Sequence, residues 1–104
     1  MDIPELTKAM NQFVTAKGWY APDSKRPQTP RNIAISLALE AGEVLEHFQW
    51  TETSQAAGEI PGELADVALY LLQLSSVLGI DLEQAILAKL EKNYRRTWDA
   101  DQEG

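Results

Sequence analysis

Residues 61–78 read PGELADVALYLLQLSSVL. Leu64, Val67, Ala68, Leu69, Leu71, Leu72, Leu74, Val77 and Leu78 recur there with hardly a polar side between them. The spacing predicts a helix from about Pro61 to Leu78, and a helix apolar almost all round is buried on most sides. The chain has 104 residues, which predicts one domain. A chain this short buries only about 60–65% of its unfolded surface. One such domain can hardly cover the helix, so the pattern predicts a partner subunit.

Working outward, Gly79 stops that helix and Asp81 is a good N-cap for a following one. That next helix is expected to reach about Trp98, with Leu82, Ala85, Ile86, Ala88 and Leu90 inward. Upstream, PRNIAISLALEAGEVLEHFQW at 30–50 predicts a helix from Pro30 or Arg31 to Phe48. Ile33, Leu37, Val44 and Phe48 form its stripe, widened by Ile35, Leu39 and Leu45. A first helix over about Pro4–Lys17 carries Leu6, Met10, Phe13 and Val14 on one face and ends at Gly18. Between these two, GWYAPDSKRPQTP at 18–30 reads as a loop holding Trp19 and Tyr20. It is long for a compact domain, which makes it functional or mobile. TETSQAAGEIPG at 51–62 is a polar linker, and DADQEG at 99–104 reads as a frayed tail. Strand signals are nearly absent. The expected fold is all-α: one domain over 1–104 with its core at about 4–98, a four-helix bundle completed by dimerisation, with a dimer of dimers as the larger form.

Composition narrows the function. There are 16 Asp plus Glu, 9 Lys plus Arg, one His and no Cys, for a formal charge of −7. Without Cys there are no disulfides, thiolate zinc sites, iron–sulfur clusters or Cys nucleophiles. The acidic surplus argues against binding a nucleic-acid polymer through its backbone. The hydrophobic fraction of 44% suits a folded chain. MDIPELTKAM lacks the basic and apolar regions of a signal peptide. No run of about 18 apolar residues exists to span a membrane. A soluble, cytoplasmic domain is expected.

Two pairs of acids break the helical pattern. The stripe of the second helix steps 33, 37, then 44, 48; the position it skips is Glu40, and Glu43 lies at i+3 on the same side. In the third helix Glu63 and Asp66 are also at i and i+3, and Tyr70 and Gln73 continue their face. Ionised carboxylates gathered beside apolar surface repel one another and need positive charge. A divalent cation with hard oxygen ligands, Mg²⁺ or Mn²⁺, meets that need; a plain bundle with half-buried acids is the other reading. A di-iron bundle requires Glu-x-x-His motifs. His47 is the only His, with Val at 44, so that motif is missing and His47 reads as a surface or helix-end residue. In the fourth helix Lys89, Asn93 and Arg96 follow at i, i+4 and i+7. They form either a solvated basic face near a helix C-terminus or a grip on phosphate. Trp19, Trp50 and Tyr70 are the aromatic candidates for a base, with packing as the alternative for each.

The order E-x-x-E, E-x-x-D, K-x-x-x-N, carried by 30–50 and by ELADVALYLLQLSSVLGIDLEQAILAKLEKN at 63–93, resembles the MazG-type all-α nucleotide pyrophosphohydrolases. The PRN and FQW flanks resemble the dCTP-pyrophosphatase-like branch in particular, over about residues 13–98. The resemblance implies hydrolysis of nucleoside triphosphates, often deoxynucleotides, to monophosphate and pyrophosphate, in nucleotide-pool cleaning. It implies Mg²⁺, or Mn²⁺ in its place, on Glu40, Glu43, Glu63 and Asp66, with Glu40 or Glu43 activating water. Glu46 extends the first motif. Lys89, Asn93 and Arg96 match phosphate positions, and Trp50 and Tyr70 match positions near base and sugar. Tyr94 stands after Asn93 where relatives often have Arg, which directs the phosphate grip to Arg95 or Arg96. Gln28 and Thr29 stand where dCTP-type members carry a His. A homodimer or homotetramer is implied. A phosphoribosyl-ATP pyrophosphatase and a non-catalytic helical interaction module are the alternatives; PRN and FQW weigh against the first, the intact acids against the second.

Overall fold

Each helix begins where the sequence can satisfy or dispense with its first free amide groups. The structure, a computed structural model, describes residues 1–54 and 56–96. Helix α1 spans Ile3–Ala16, α2 Pro30–Glu46, α3 Ile60–Val77 and α4 Leu82–Arg95, with one 3₁₀ turn at Ala57–Glu59 and no strand among the described residues. Asp2 opens α1 with a capping box: the Glu5 amide donates to Asp2 Oδ1 (2.9 Å) and the Asp2 amide donates to Glu5 Oε1 (3.3 Å). Thr29 caps α2 by accepting from the Asn32 amide (3.2 Å), with Pro30 following, and Asp81 caps α4 by accepting from Gln84 (3.1 Å). Helix α3 has no side-chain cap, but Pro61 in its first turn removes a donor that would otherwise go unpaired.

Two helices end the same way. Gly18 (φ 75°) and Gly79 (φ 71°) take the left-handed conformation. Gly18 and Trp19 donate back to Thr15 and Val14, and Gly79 and Ile80 donate back to Ser76 and Ser75. Both are Schellman closures, which need a left-handed residue after the helix. The one at Gly79 turns the chain through 104° between the α3 segment and α4.

The packing centres on α3, which lies against α2 and, less extensively, α1. Met10 and Val14 of α1 meet Leu72 of α3, with Ile3, Trp19, Tyr20 and Leu82 packed around them. Ile33 of α2 is the most deeply buried side chain. Tyr20 donates to Asn11 Oδ1 (2.6 Å), and Asn11 Nδ2 donates to Ser76 Oγ (2.9 Å), which ties the loop and α1 to α3.

The single chain is open. Its radius of gyration is 17.0 Å, against about 13 Å for a compact chain of this length. Helix α4 packs on α1 and holds no buried residue. Leu82 is half-buried, but Ala85, Ile86, Ala88 and Leu90 are exposed, so most of the expected inward face of α4 is uncovered by the described residues of one chain. The turn at Gly79 is the reason. Leu64, Leu69 and Leu71 of α3 and Leu39 and Leu45 of α2 are exposed as well. Helix α4 ends at Arg95, not Trp98; Trp98 and the tail 99–104 lie outside the described residues.

No atom lies within 4 Å of a Cβ placed on Gly79, so its replacement is a purely backbone matter. Gly79→Ala is expected to cost about 1–2 kcal/mol, which lowers the thermal midpoint by roughly 4–8 °C per kcal/mol. Calorimetry of the variant beside the parent protein measures it, and an unchanged midpoint would rule out the left-handed turn.

Candidate active site

The α2–α3 seam brings together the four acids that interrupt the apolar pattern. Glu40 is half-buried on α2, and its Oε2 is buried with no hydrogen-bond partner. Its carboxyl is held above its ordinary 4.5, by burial first, then by the hydrogen-bonded approach and charge of Glu43, then by the charges of Asp66 and Glu63. Acids from both helices therefore act on Glu40. Sequence spacing gave each pair; the packing of α2 on α3 joins them.

This donor set fits a hard divalent cation. Four carboxylates supply only oxygen ligands, and the orphaned Glu40 oxygen is the kind of buried acceptor that a cation satisfies. Glu63 has a second set of neighbours. His47, at the C-cap of α2, hydrogen-bonds through Nε2 to Glu63, and its Nδ1 lies 2.6 Å from Ser54 Oγ. A carboxylate only accepts, so Nε2 carries a proton in this contact, which a metal bound at that nitrogen would displace. The helix-end position of His47 agrees with the sequence reading, but its side chain is buried rather than on the surface. Ligand atoms of His47, Glu59 and Glu63 lie within 4.8 Å of one another, a further grouping suited to a metal that sequence spacing missed. Its members come from three segments, and no short motif joins them.

Two clefts flank the acids. One of about 670 Å³ is lined by Glu43, Glu46, His47, Ser54, Glu59 and Glu63. The other, about 460 Å³ and mainly apolar, has Asp66 at one side and runs along Phe13, Trp19, Leu69, Tyr70 and Gln73. Trp19 is fixed there by an edge-on contact with Phe13 (5.6 Å between centroids), and the Arg26 guanidinium sits 5.9 Å from its ring centre. Tyr70 thus lies beside the acids as its spacing implied. Trp50 does not: it is 87% exposed and lines neither cleft.

The α4 residues lie apart. No α4 residue lines either cleft. Lys89 is exposed and Asn93 half-buried, with a buried Oδ1 that lacks a partner. Arg95 pairs with Glu91 on the surface. Arg96 sits beyond the last turn with extended backbone (ψ 139°), so it leaves the register that would align it with Lys89 and Asn93.

Comparison with known proteins follows the same residues. The model of the MazG-like family matches residues 35–103. A pyrophosphatase from Archaeoglobus fulgidus DSM 4304, known from its crystal structure, superposes with a TM-score of 0.74 at 36% identity, over 90% of each chain. The dCTP pyrophosphatase 1 of Bos taurus is 27% identical over 90% of this chain and 58% of its own. This chain thus spans rather more than half the length of that relative. A dATP/dGTP diphosphohydrolase of Cyanophage S-2L is 47% identical over 36% of both chains.

The raised proton affinity of Glu40 has a definite sign. Its ionised form is disfavoured in the fold, so the cost is absent below the unfolded value and grows as pH rises through the folded one. Glu40→Gln removes that cost. The metal-free variant is expected to melt about 2–4 °C above the parent protein at pH 7, the scale of relieving a like-charge pair one helical turn apart. The gain should shrink toward pH 4. A divalent cation held by these acids would stabilise the parent more than the variant, which lacks one carboxylate, and so narrow or reverse the order. Calorimetry at both pH values, with and without Mg²⁺, checks this.

Proposed function

This chain belongs to the MazG-like family, and on that premise we propose that it is a Mg²⁺-dependent nucleoside triphosphate pyrophosphohydrolase. It cleaves (deoxy)nucleoside triphosphates, dCTP-like substrates among them, to the monophosphate and pyrophosphate. The observation that carries this reading is the buried, unpartnered Glu40 oxygen among the charges of Glu43, Glu63 and Asp66. Relatives named dCTP pyrophosphatase and dATP/dGTP diphosphohydrolase support the same reaction class.

Glu40, Glu43, Glu63 and Asp66 would hold Mg²⁺, with Mn²⁺ as a substitute. A bound cation supplies charge neutralisation and Lewis-acid polarisation at the triphosphate. The chain's own groups do the rest. Glu40 or Glu43 orients the attacking water and accepts its proton. The water oxygen bonds to the α-phosphorus, the α–β bridging bond breaks, and pyrophosphate leaves. His47, held by Ser54, fixes the orientation of Glu63. Lys89, with Arg95 or Arg96, offsets negative charge on the triphosphate and the departing pyrophosphate, and the Asn93 amide donates to a phosphate oxygen. Tyr70, which lines the cleft beside Asp66, contacts the sugar or base; the matching role for Trp50 needs a contact from outside these clefts, because one chain leaves it exposed.

The open shape of one chain supports a homodimer or homotetramer. Ile86, Leu87 and Leu90 on α4 are exposed together with Leu64 and Leu69 on α3. A second copy burying these faces also carries α4 cations toward the acids of its neighbour. The reading fits a cytoplasmic enzyme of nucleotide-pool cleaning. No single helix among the described residues is long and apolar enough to cross a membrane.

Incubation with each dNTP and Mg²⁺ is expected to release pyrophosphate from at least one. Release from none, with Mg²⁺ or Mn²⁺, would overturn the reading. Glu40→Gln and Asp66→Asn should each lower the rate by at least about a hundredfold, the scale of losing a group that positions and neutralises charge. In sedimentation the protein should run well above its 11.6 kDa chain mass. The double change Leu87→Asp and Leu90→Asp should shift it toward the monomer; a parent protein that stays monomeric at micromolar concentration refutes the assembly.

A further inference from the structure

Gln73 is out of place by composition. It is a polar residue only 4% exposed, on the helix with the most continuous apolar sequence in the chain. Burying a primary amide is unfavourable unless each of its groups finds a partner. One partner comes from 45 residues away: Gln73 Nε2 donates to Gln28 Oε1 at 2.7 Å. Gln28 is itself oriented, because its Nε2 donates to the backbone carbonyl of Arg26 at 2.5 Å. A backbone carbonyl only accepts. Gln28 must therefore turn its nitrogen to Arg26 and its oxygen to Gln73. Gln73 in turn must present its nitrogen to Gln28. The relay removes the freedom of both amides to flip.

What remains on Gln73 is one N–H and the carbonyl oxygen, with nitrogen and oxygen in fixed order. Gln73 lines the apolar cleft that has Asp66 at its side. Gln28 lines an adjoining cleft of about 380 Å³, and Trp19 and Tyr70 are walls of both. Cleft volumes in this range are those of small-molecule sites, in which a few placed polar groups give specificity. Asp66, Tyr70 and Gln73 follow at i, i+4 and i+7 along one face of α3. From Asp66 to Gln73 the helix rises about 10 Å. That is the reach of a nucleoside from its 5′ end to the far edge of its base.

We propose that Gln73, with its amide polarity fixed by Gln28, reads the hydrogen-bonding edge of the substrate's base in the Trp19–Tyr70 cleft and so separates amino bases from keto bases. The proposal rests on the nucleotide reading of the acid cluster. Adenine and cytosine offer an amino donor beside a ring acceptor; guanine and thymine offer a keto acceptor beside a ring N–H. An amide free to flip serves either order, as side-chain amides otherwise do. A pinned amide serves one and leaves the other with two opposed pairs. A good bidentate pair is worth roughly 5- to 150-fold in discrimination.

The test has two arms. In the first, pyrophosphate release from dATP, dCTP, dGTP and dTTP is measured with the assembled protein and Mg²⁺. The kcat/KM values are expected to fall into an amino pair and a keto pair differing by at least tenfold. In Gln28→Leu the freed Gln73 amide flips, and the ratio should drop below threefold. Gln73→Leu should flatten it likewise, with circular dichroism verifying its fold. In the second arm, binding of the four uncharged deoxynucleosides is followed by ligand-observed NMR, which needs neither metal nor turnover. The same amino-against-keto split is expected there and should vanish in Gln28→Leu. A flat parent profile in the binding arm, or a split that survives Gln28→Leu in either arm, overturns the proposal. Failure of turnover on every dNTP overturns the reaction instead, and the binding arm still decides the role of Gln73.

Discussion

Like-charge repulsion across the α2–α3 seam is the constraint around which this molecule is arranged. The two helices pack closely, and Ile33 of α2 is the most buried apolar side chain among the described residues. That same packing forces Glu40 against Glu43, Glu63 and Asp66, where burial and neighbouring charge disfavour its ionised form. Hydrophobic burial thus holds in place an arrangement that electrostatics opposes. Proteins tolerate such conflict where a bound ion or substrate relieves it, which is why shifted proton affinities gather at functional sites. The acid-lined cleft lies along this seam, and the aromatic cleft with the relayed amide lies on the other side of α3, against α1.

The parts legible in the sequence were those set by short-range periodicity. Helix spans came within a few residues, since apolar spacing and caps such as Asp81 act locally. The acid pairs were legible because i and i+3 share a helix face whatever the tertiary fold. What escaped depends on groups distant in sequence. His47 meets Glu63 across 16 residues and Gln73 meets Gln28 across 45, and no periodicity announces either. The direction of α4 escaped for another reason. Gly79 marks a helix end, but spacing does not give the 104° direction change that follows, and that change exposes a face that periodicity alone assigned inward.

The open chain and the acid seam are linked. A monomer with so few buried side chains has little reserve of stability against charge repulsion. Apolar area removed from water contributes about 25 cal/mol per Å², so covering the exposed leucines of α2, α3 and α4 is the direct way to offset the acids. Any assembly would be coupled to the site through the same helices: a copy that buried the outer faces of α2 and α3 would also stiffen the seam that holds Glu40.

The relay from Arg26 through Gln28 to Gln73 divides its parts between two kinds of structure. Gln73 belongs to a packed helix, while Gln28 and Arg26 belong to the connection between α1 and α2. Connections tolerate sequence change far better than packed helices do. Substitutions confined to residues 21–29 can therefore reorient the buried amide without disturbing the carboxylates or the core. On the proposed reading, ligand preference is evolvable separately from chemistry, and lineages sharing the same helices would drift between bases through a few loop substitutions.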